Sequence, residues 1–188
     1  MLPDLETWRL TLRELAPEDA PAIQAWQNSP MQWRHMAVEP AEFSDAATRI
    51  ANYVKYRGDD ANRRLFVYAA RRKCDGALIG SVSLARSHPE IASLGLSVAA
   101  IHGGRGFGTE LARRILAFGF GDVRLNRIAA DVAVDNHPSL RVMEKIGMQH
   151  EGVSRDCIFA QGRWWTEAKF AMLASDAAAA CAADLISA

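Results

Sequence analysis

The fold of this chain is decided by residues 94–116, which read LGLSVAAIHGGRGFGTELARRIL. An apolar run over residues 94–101 opens the stretch and predicts a strand. Four glycines follow within six residues, at positions 103, 104, 106 and 108. Leu111, Ile115 and Phe118 then recur at the spacing of one helical face. The stretch therefore predicts a strand, a glycine loop and a helix, within a mixed α/β fold.

The glycine loop has the properties of an anion-binding site. Glycine lets a backbone approach a ligand closely, and a helix N-terminus adds unpaired N–H groups and a positive dipole end. Phosphates are the anions that such loops bind most often. Two nucleotide-binding patterns fail, because G-x-G-x-x-G from Gly104 needs glycine at Thr109, and the Walker pattern from Gly103 needs lysine there. A nucleotide-dependent kinase is therefore disfavoured, and a plain glycine-rich turn is the simpler alternative.

Residues 104–110 resemble the pyrophosphate loop of the GNAT superfamily of acyl-CoA-dependent N-acyltransferases, which reads roughly Q/R-x-x-G-x-G/A. Gly106 and Gly108 match this pattern, whereas Gly103 stands at the leading Gln/Arg position and removes one polar contact. The resemblance implies acetyl-CoA as cosubstrate, bound through Gly103, Gly104, Arg105, Gly106, Phe107, Gly108 and Thr109.

A second motif follows an apolar strand predicted at residues 128–134. It reads NHPSLRVMEKIGM from Asn136 to Met148 and resembles N-x-x-S/A-x-x-x-x-x-K-x-G-F of the same superfamily. Met148 replaces the usual Phe, a change that an apolar position tolerates. Two separated motifs in the right order are much more specific than either one.

The two ends of the chain narrow the resemblance to one branch. Residues 9–13 (RLTLR) followed by Asp19 are similar to the start of the ribosomal-protein N-terminal acetyltransferase branch, called Rim-type below (RimJ/RimL-like). Residues 161–167 (QGRWWTE) are similar to the G-x-W/Y-x-D ending of that branch. The resemblance thus runs from about residue 8 to about residue 173.

The resemblance implies the GNAT fold, a central, mostly antiparallel twisted sheet flanked by helices. Alternating and apolar runs predict the strands 8–13, 65–70, 77–84 and 91–98. Because a helix follows the glycine loop, the strand at residues 128–134 is expected to run parallel to residues 91–98. In the family these two strands splay apart, and the pantetheine arm of the cofactor pairs with backbone that corresponds here to Leu96, Ser97 and Val98.

The resemblance also implies that a primary amine attacks the thioester directly. Asn136 has two expected roles, as a helix cap and as a polar contact to the pantetheine arm. Many relatives use a Tyr as general acid where this chain has Met143, which cannot donate a proton. Ser139 is therefore the candidate that hydrogen-bonds the leaving sulfur and contacts the cofactor, with a simple helix-start residue as the alternative.

The base that deprotonates the amine is predicted less directly. Asp156 is favoured, because it follows Glu151 and Gly152 on the strand that returns past the acceptor side. Glu90 and a chain of ordered waters are the alternatives. Arg141 and Lys145 lie four residues apart and are expected to form a solvated helix face rather than to bind phosphates.

The acceptor pocket has four candidate wall residues: Met31, Trp33, Met36 and Phe43. Core or dimer contacts are the favoured interpretation of these side chains. A second helix is expected from Phe43 to Val54, since apolar residues recur there at helical spacing. The sequence leaves open whether the amine is a protein N-terminus or a small molecule.

The composition of the chain limits which partners, metals and cellular location are expected. The chain has 188 residues, with 22 basic and 22 acidic side chains, so nucleic acid is not an expected partner. No apolar run reaches about 18 residues, so no transmembrane helix and no membrane partner are expected. The three cysteines, Cys74, Cys157 and Cys181, fit neither a zinc site nor a disulfide framework. No metal and a cytoplasmic location are therefore expected.

We expect residues 1–188 to form one domain with an Ala-rich tail at 174–188, whose low polarity suggests docking on a second subunit in a homodimer. The predicted function is transfer of an acetyl group from acetyl-CoA to a primary amine. The alternative is a CoA-binding sensor or structural module without turnover.

Overall fold

The computed structural model of the chain describes residues 2–27, 29–39, 45–57 and 62–177. Its elements in chain order are β1 (Leu5–Glu6), β2 (Leu10–Glu14), α1 (Ala20–Gln27), α2 (Pro30–Trp33), α3 (Ala46–Tyr56), β3 (Leu65–Arg72), β4 (Leu78–His88), β5 (Ile91–Val98), α4 (Phe107–Gly121), β6 (Arg127–Ala133), α5 (His137–Lys145), β7 (Gln149–Ala160) and β8 (Arg163–Leu173). Short 3-10 turns lie at Pro17–Asp19 and Ala100–His102.

The strands form one sheet in the order β1-β2-β3-β4-β5-β6-β8-β7. Every neighbouring pair is antiparallel except β5 and β6, which run parallel because α4 connects them. The predicted mixed α/β fold, with a mostly antiparallel sheet and one parallel pair, is confirmed.

The parallel pair separates after a short contact. Only Ile91, Ala92 and Ser93 of β5 pair with β6. Beyond them, β5 continues to Val98 paired with β4, while β6 continues to Ala133 paired with β8. The edge of β5 over residues 94–98 that would face β6 is therefore open, as predicted.

Helix α4 packs its apolar face on the sheet. Leu111 and Ile115 are fully buried, and the Phe118 ring meets the rings of Phe66 and Tyr68 edge to face. Burying such side chains stabilises the fold by about 1.5–3 kcal/mol each. The apolar face that the sequence predicted for α4 is therefore the face that the helix buries in the core. The helices of the described ranges are all too short or too polar to cross a membrane.

Two predicted boundaries shift. The strand expected at 8–13 begins only at Leu10, because the preceding residues form a turn in which the Thr7 N–H donates to the Leu10 carbonyl; Trp8, in this turn, is 89% exposed. Helix α3 begins at Ala46 because the Asp45 carboxylate caps it, accepting from two backbone N–H groups. The expected start at Phe43 lies outside the described residues.

Candidate active site

A cleft of about 590 Å³ opens where β5 and β6 separate. Its wall is made by α2 and the turn after it, the end of β5, the glycine loop with the first turn of α4, and α5. The cleft is thus built on the two sequence motifs and on the segment 31–36, in which the sequence offered candidate residues for the acceptor wall.

The glycine loop forms one end of this cleft. Gly104 (φ 72°) and Gly106 (φ 81°) adopt the left-handed conformation that favours glycine. Gly106 is the N-cap of α4, and no side chain caps that helix. The orphan N–H groups of its first turn are therefore available to an anion. A Cβ atom built at Gly104 would meet nothing within 4 Å, which leaves room for a ligand.

Most of the predicted loop residues line the cleft. These are Gly103, Gly104, Gly106, Phe107, Gly108 and Thr109, whereas Arg105 lies outside the lining. Gly108 has a packing role, because a Cβ atom there would lie 3.4 Å from Val142 Cγ2 and 3.7 Å from Leu96 Cδ2. The start of α4 can therefore approach both α5 and β5 closely.

An ion pair that the sequence analysis missed braces the loop. The Arg9 guanidinium donates to Glu110 and to the Arg105 carbonyl, and it lies 4.3 Å above the Phe107 ring centroid. Thr7 and the Arg9 N–H also donate to the Glu110 carboxylate. Burial acts to raise the pKa of Glu110, but the hydrogen bonds from Thr7 and Arg9 outweigh it and hold the pKa below its usual value.

The predicted strand and helix residues lie on the opposite walls. Leu96, Ser97 and Val98 line the cleft from the open edge of β5. Asn136 accepts a hydrogen bond from the Ser139 N–H at 3.2 Å, so its predicted capping role is confirmed. Ser139 is half-buried and lines the cleft on α5.

Met143 lies in a different environment from Ser139. It is only 2% exposed and belongs to the hydrophobic core rather than to the cleft lining. The position where many relatives carry an acid is therefore a core position in this chain, whereas Ser139 faces the cleft.

The two carboxylates considered as bases lie elsewhere. Asp156 is exposed in β7, at a register shift between Ser154 and Ile158, with a positive φ of 47°. Glu90 is exposed in the turn between β4 and β5. Neither lines the cleft, and among the described residues no Asp or Glu does. Asp156 as the base stays a prediction that the cleft lining does not support.

The acceptor side is polar as well as apolar. Met31 and Met36 line the cleft, while Trp33 does not and Phe43 lies outside the described residues. The structure adds Gln32, Arg34 and His35 to this wall. The Gln32 side chain donates to the Ser97 hydroxyl at 3.0 Å, which ties the acceptor side to β5.

The charges of the described lining are positive. Arg34, Arg141 and Lys145 line the cleft without an acidic lining residue beside them. Arg141 and Lys145 are exposed, as expected, but they also face the cleft, which the sequence analysis did not favour. His102 lines the loop end, and burial, followed by Arg72 and Arg105, lowers its pKa. Such a cleft suits a ligand with several phosphates.

A splayed parallel pair, an uncapped helix behind a glycine loop and basic walls together define an acyl-CoA-dependent transferase. The family model described as acetyltransferase (GNAT) domain matches residues 9–149, so the chain belongs to the GNAT acetyltransferase family. It is an acyl-CoA-dependent N-acetyltransferase.

Known proteins resemble the chain over nearly its whole length. The uncharacterized N-acetyltransferase YoaA of Bacillus subtilis is 32% identical over 86% of this chain and 92% of its own. The structure of spermidine N-acetyltransferase from Vibrio cholerae, in complex with CoA and spermine, aligns with a TM-score of 0.79 and 25% identity over 90% of this chain and 98% of its own. Mycobacterium smegmatis RimJ, in complex with CoA-disulfide, shares the fold with a TM-score of 0.75 and 22% identity over 89% of this chain and 83% of its own.

Proposed function

We propose that this enzyme transfers the acetyl group of acetyl-CoA to a primary amine, which attacks the thioester directly. The observation that carries the proposal is the cleft at the separation of β5 and β6, where an open strand edge, an uncapped helix and basic side chains meet. A new C–N bond forms, the C–S bond breaks, and CoA leaves as the thiol.

The proposed cofactor site uses two kinds of contact. The loop residues Gly103, Gly104, Arg105, Gly106, Phe107, Gly108 and Thr109 bind the pyrophosphate through backbone N–H groups and the helix dipole. Backbone groups of Leu96, Ser97 and Val98, with the Asn136 side chain, bind the pantetheine arm. An N–H group of β5 stabilises the oxyanion that develops at the thioester carbonyl. Arg141 and Lys145 add positive charge beside the phosphates.

We propose Ser139 as the group that hydrogen-bonds the leaving sulfur. Its backbone is held by Asn136, and its side chain lines the cleft on the first turn of α5. Replacing Ser139 with Ala is expected to lower kcat by about tenfold or more, with acetyl-CoA affinity nearly unchanged. Ser87→Ala, on an exposed residue near the end of β4, is the matched control. Equal turnover of Ser139→Ala and wild type would leave Ser139 as a helix-start residue.

The acceptor that fits this cleft best is a molecule with one positively charged amino group, such as a protein N-terminus. A polyamine carries several positive charges and needs carboxylates around it, whereas the described lining has Arg34 and no Asp or Glu. We therefore propose the Rim-type branch, in line with the RLTLR start at residues 9–13 and the QGRWWTE segment at 161–167. Spermidine is the second candidate, because a relative with 25% identity is a spermidine N-acetyltransferase.

We also propose one domain over residues 1–188, because β7 and β8, most of which lie beyond the family match, extend the same sheet. The free, exposed thiols of Cys74 and Cys157 are in line with a reducing cytoplasm. The Ala-rich tail at 174–188 and the homodimer stay predictions, since residues 178–188 lie outside the described part.

The first experiment compares the melting temperature of the protein with acetyl-CoA, CoA and ATP-magnesium. A ligand that binds the folded state raises the melting temperature by mass action. We expect acetyl-CoA and CoA to stabilise the protein and ATP-magnesium to have less effect. Thiol release is then measured over a panel of N-terminal peptides and small amines, including spermidine.

The panel separates the proposals. Release with single-amine peptides supports the Rim-type acceptor, and release with spermidine alone contradicts it. Stabilisation by CoA without release over the whole panel would favour the alternative, a CoA-binding module without turnover. No stabilisation by either CoA compound would contradict the cofactor site itself.

A further inference from the structure

The acceptor wall of the cleft contains an imidazole that faces a carboxylate. His35 Nδ1 lies 3.5 Å from Asp135 Oδ1, and both atoms are buried without a hydrogen-bond partner in the described structure. Asp135 lies two residues after the end of β6 and directly precedes Asn136, the N-cap of α5. The pair therefore connects the acceptor wall to the motif proposed to hold the cofactor. The distance is longer than that of a usual hydrogen bond, and catalytic hydrogen bonds are often long in structures without a substrate and tighten when the substrate complex forms.

Asp135 is held from its other side. Arg163 Nη2 donates to Asp135 Oδ2 at 3.0 Å, and the Arg163 guanidinium lies 3.5 Å from the centroid of the Trp165 ring. Trp165 is 2% exposed, and its indole N–H donates to the Ala160 carbonyl. Burial acts to raise the pKa of Asp135, but Arg163 and then His35 outweigh it and lower the pKa. Asp135 therefore stays ionised and fixed in position.

The segment that carries His35 is fixed by the turn between β7 and β8. The Gln161 side-chain amide donates to the carbonyls of Trp33 (3.2 Å), Met36 (2.6 Å) and Val38 (3.1 Å). The Gln161 backbone N–H donates to the Glu39 carboxylate. Backbone on both sides of His35 is thus held, so the ring has a defined place above the cleft.

We infer that His35 is the base that takes the proton from the acceptor ammonium, directly or through one water, and that Asp135 is its positioning residue. This inference rests on the proposed amine acetylation. An Nδ1–H directed at the Asp135 carboxylate selects the tautomer whose Nε2 carries a free lone pair. A neutral imidazole with a carboxylate behind it can accept a proton and is stabilised as imidazolium.

The other charged groups of the cleft are less suited than His35 to act as the base. Arg34 and Arg141 keep their protons, and the Lys145 ammonium has no acceptor lone pair. His102 lies at the glycine loop, facing Arg72 and Arg105, rather than on the acceptor wall. Since no Asp or Glu of the described residues lines the cleft, His35 is the acceptor-side group with a suitable lone pair.

The proton balance is complete. His35 Nε2 takes one proton from the ammonium, which leaves a neutral amine whose lone pair attacks the thioester carbon. The C–N bond forms, and the second amine proton is lost as the C–S bond breaks. That proton reaches the sulfur through Ser139, and the His35 imidazolium returns its proton to water. The products are the amide, the thiol of CoA and one proton.

The test measures kcat/KM against pH for wild type, His35→Gln and Asp135→Asn. His35→Gln is expected to lower kcat/KM by about 100-fold or more. It is also expected to remove the rise of kcat/KM with pH whose midpoint is the same for every acceptor amine. A limb set by the amine itself remains, and it moves when an amine of different basicity is used. Asp135→Asn is expected to lower kcat/KM less than His35→Gln does. His88→Ala, on an exposed residue outside the cleft lining, is the control.

Two further measurements keep the result interpretable. Acetyl-CoA affinity and melting temperature are expected to stay close to wild type in His35→Gln, which separates loss of the base from misfolding and from failure of the cofactor site. Added imidazole is expected to restore part of the activity of His35→Ala. An unchanged pH profile in folded His35→Gln, or loss of the limb in Asp156→Asn instead, would overturn the inference. Absence of thiol release by wild type with every amine would contradict the proposed function itself.

Discussion

The guanidinium of Arg9 lies 2.6 Å from the carboxylate of Glu110, across the entrance to helix α4. Glu110 stands in the first turn of this helix, where its charge would otherwise be close to a bound phosphate. Arg9 neutralises that charge and hydrogen-bonds the loop carbonyl of Arg105. The turn between β1 and β2 thus contributes directly to the anion site.

Replacement of Arg9 by Met is expected to weaken CoA binding by about tenfold or more, because it leaves a carboxylate that is only 16% exposed without its cation. Titration calorimetry with CoA measures the change. Arg13→Met is the control, since Arg13 pairs with Asp4 on the surface. The double variant Arg9→Met/Glu110→Gln is expected to regain part of the affinity. Equal affinity of Arg9→Met and wild type would contradict a role for the pair.

Introduction of Glu at Gly106 is expected to abolish detectable CoA binding. The left-handed φ of 81° strains any side chain there, by about 1–2 kcal/mol, and a carboxylate would repel the phosphates. Gly121→Glu is a matched control, because a Cβ atom at Gly121 meets nothing and the residue lies at the other end of α4. A folded Gly106→Glu protein that binds CoA normally would show that the loop is not the anion site.

The substitution Gln161→Ala is expected to raise KM for the amine and to lower kcat/KM, while the affinity for acetyl-CoA stays unchanged. Three carbonyls of residues 33–38 lose the hydrogen bonds that the Gln161 side chain donates, each worth about 1 kcal/mol, so the acceptor wall becomes less ordered. Steady-state kinetics and calorimetry make the comparison. Gln149→Ala, on an exposed residue of β7, controls for loss of a glutamine. A change in acetyl-CoA affinity with unchanged KM for the amine would contradict the proposed role of Gln161 in ordering the acceptor wall.

Acid stability is expected to depend on Glu14. This carboxylate, 8% exposed, accepts from Arg57, Arg63, Tyr53 and the Leu2 N–H. Burial acts to raise its pKa, but the hydrogen bonds from Leu2, Arg63 and Tyr53 and the charge of Arg63 lower the pKa from its usual 4.5. Since the folded pKa is below the unfolded one, the stabilisation is present above pH 4.5 and is lost as pH falls through the folded value.

Glu14→Gln is expected to reduce the free energy of unfolding by about 3 kcal/mol at pH 7, because it removes the buried carboxylate charge to which Arg57, Arg63 and Tyr53 donate. Its loss of stability between pH 6 and about pH 3 is also expected to be smaller than that of wild type. Urea unfolding over this pH range measures both. Glu6→Gln, on a side chain that is 67% exposed, serves for comparison. Parallel pH curves for Glu14→Gln and wild type would contradict the assignment.

The parts of the site that sequence analysis found are local in the chain. The glycine loop, the Asn136 cap and the cleft-facing Ser139 each depend on neighbouring residues, so their patterns are legible without a fold.

The missed parts join distant segments. Arg9 meets Glu110, and His35 meets Asp135, only because the sheet order brings their strands and helices together. No pattern within either segment indicates its partner. Asp156, which the sequence placed on the acceptor side, stays a prediction: it is exposed at a register shift of β7 and lies outside the cleft lining.

That irregularity has a consequence for how the protein behaves at high concentration. β7 is the last strand of the sheet, and its outer edge presents unpaired backbone groups that a strand of another molecule could extend. The shift around Asp156 interrupts this edge, and Glu151, Arg155 and Asp156 place exposed charges along it. The edge is therefore expected to resist edge-to-edge association, so that the irregularity of β7 would keep the protein monodisperse at concentrations where a flat, uncharged edge strand would associate.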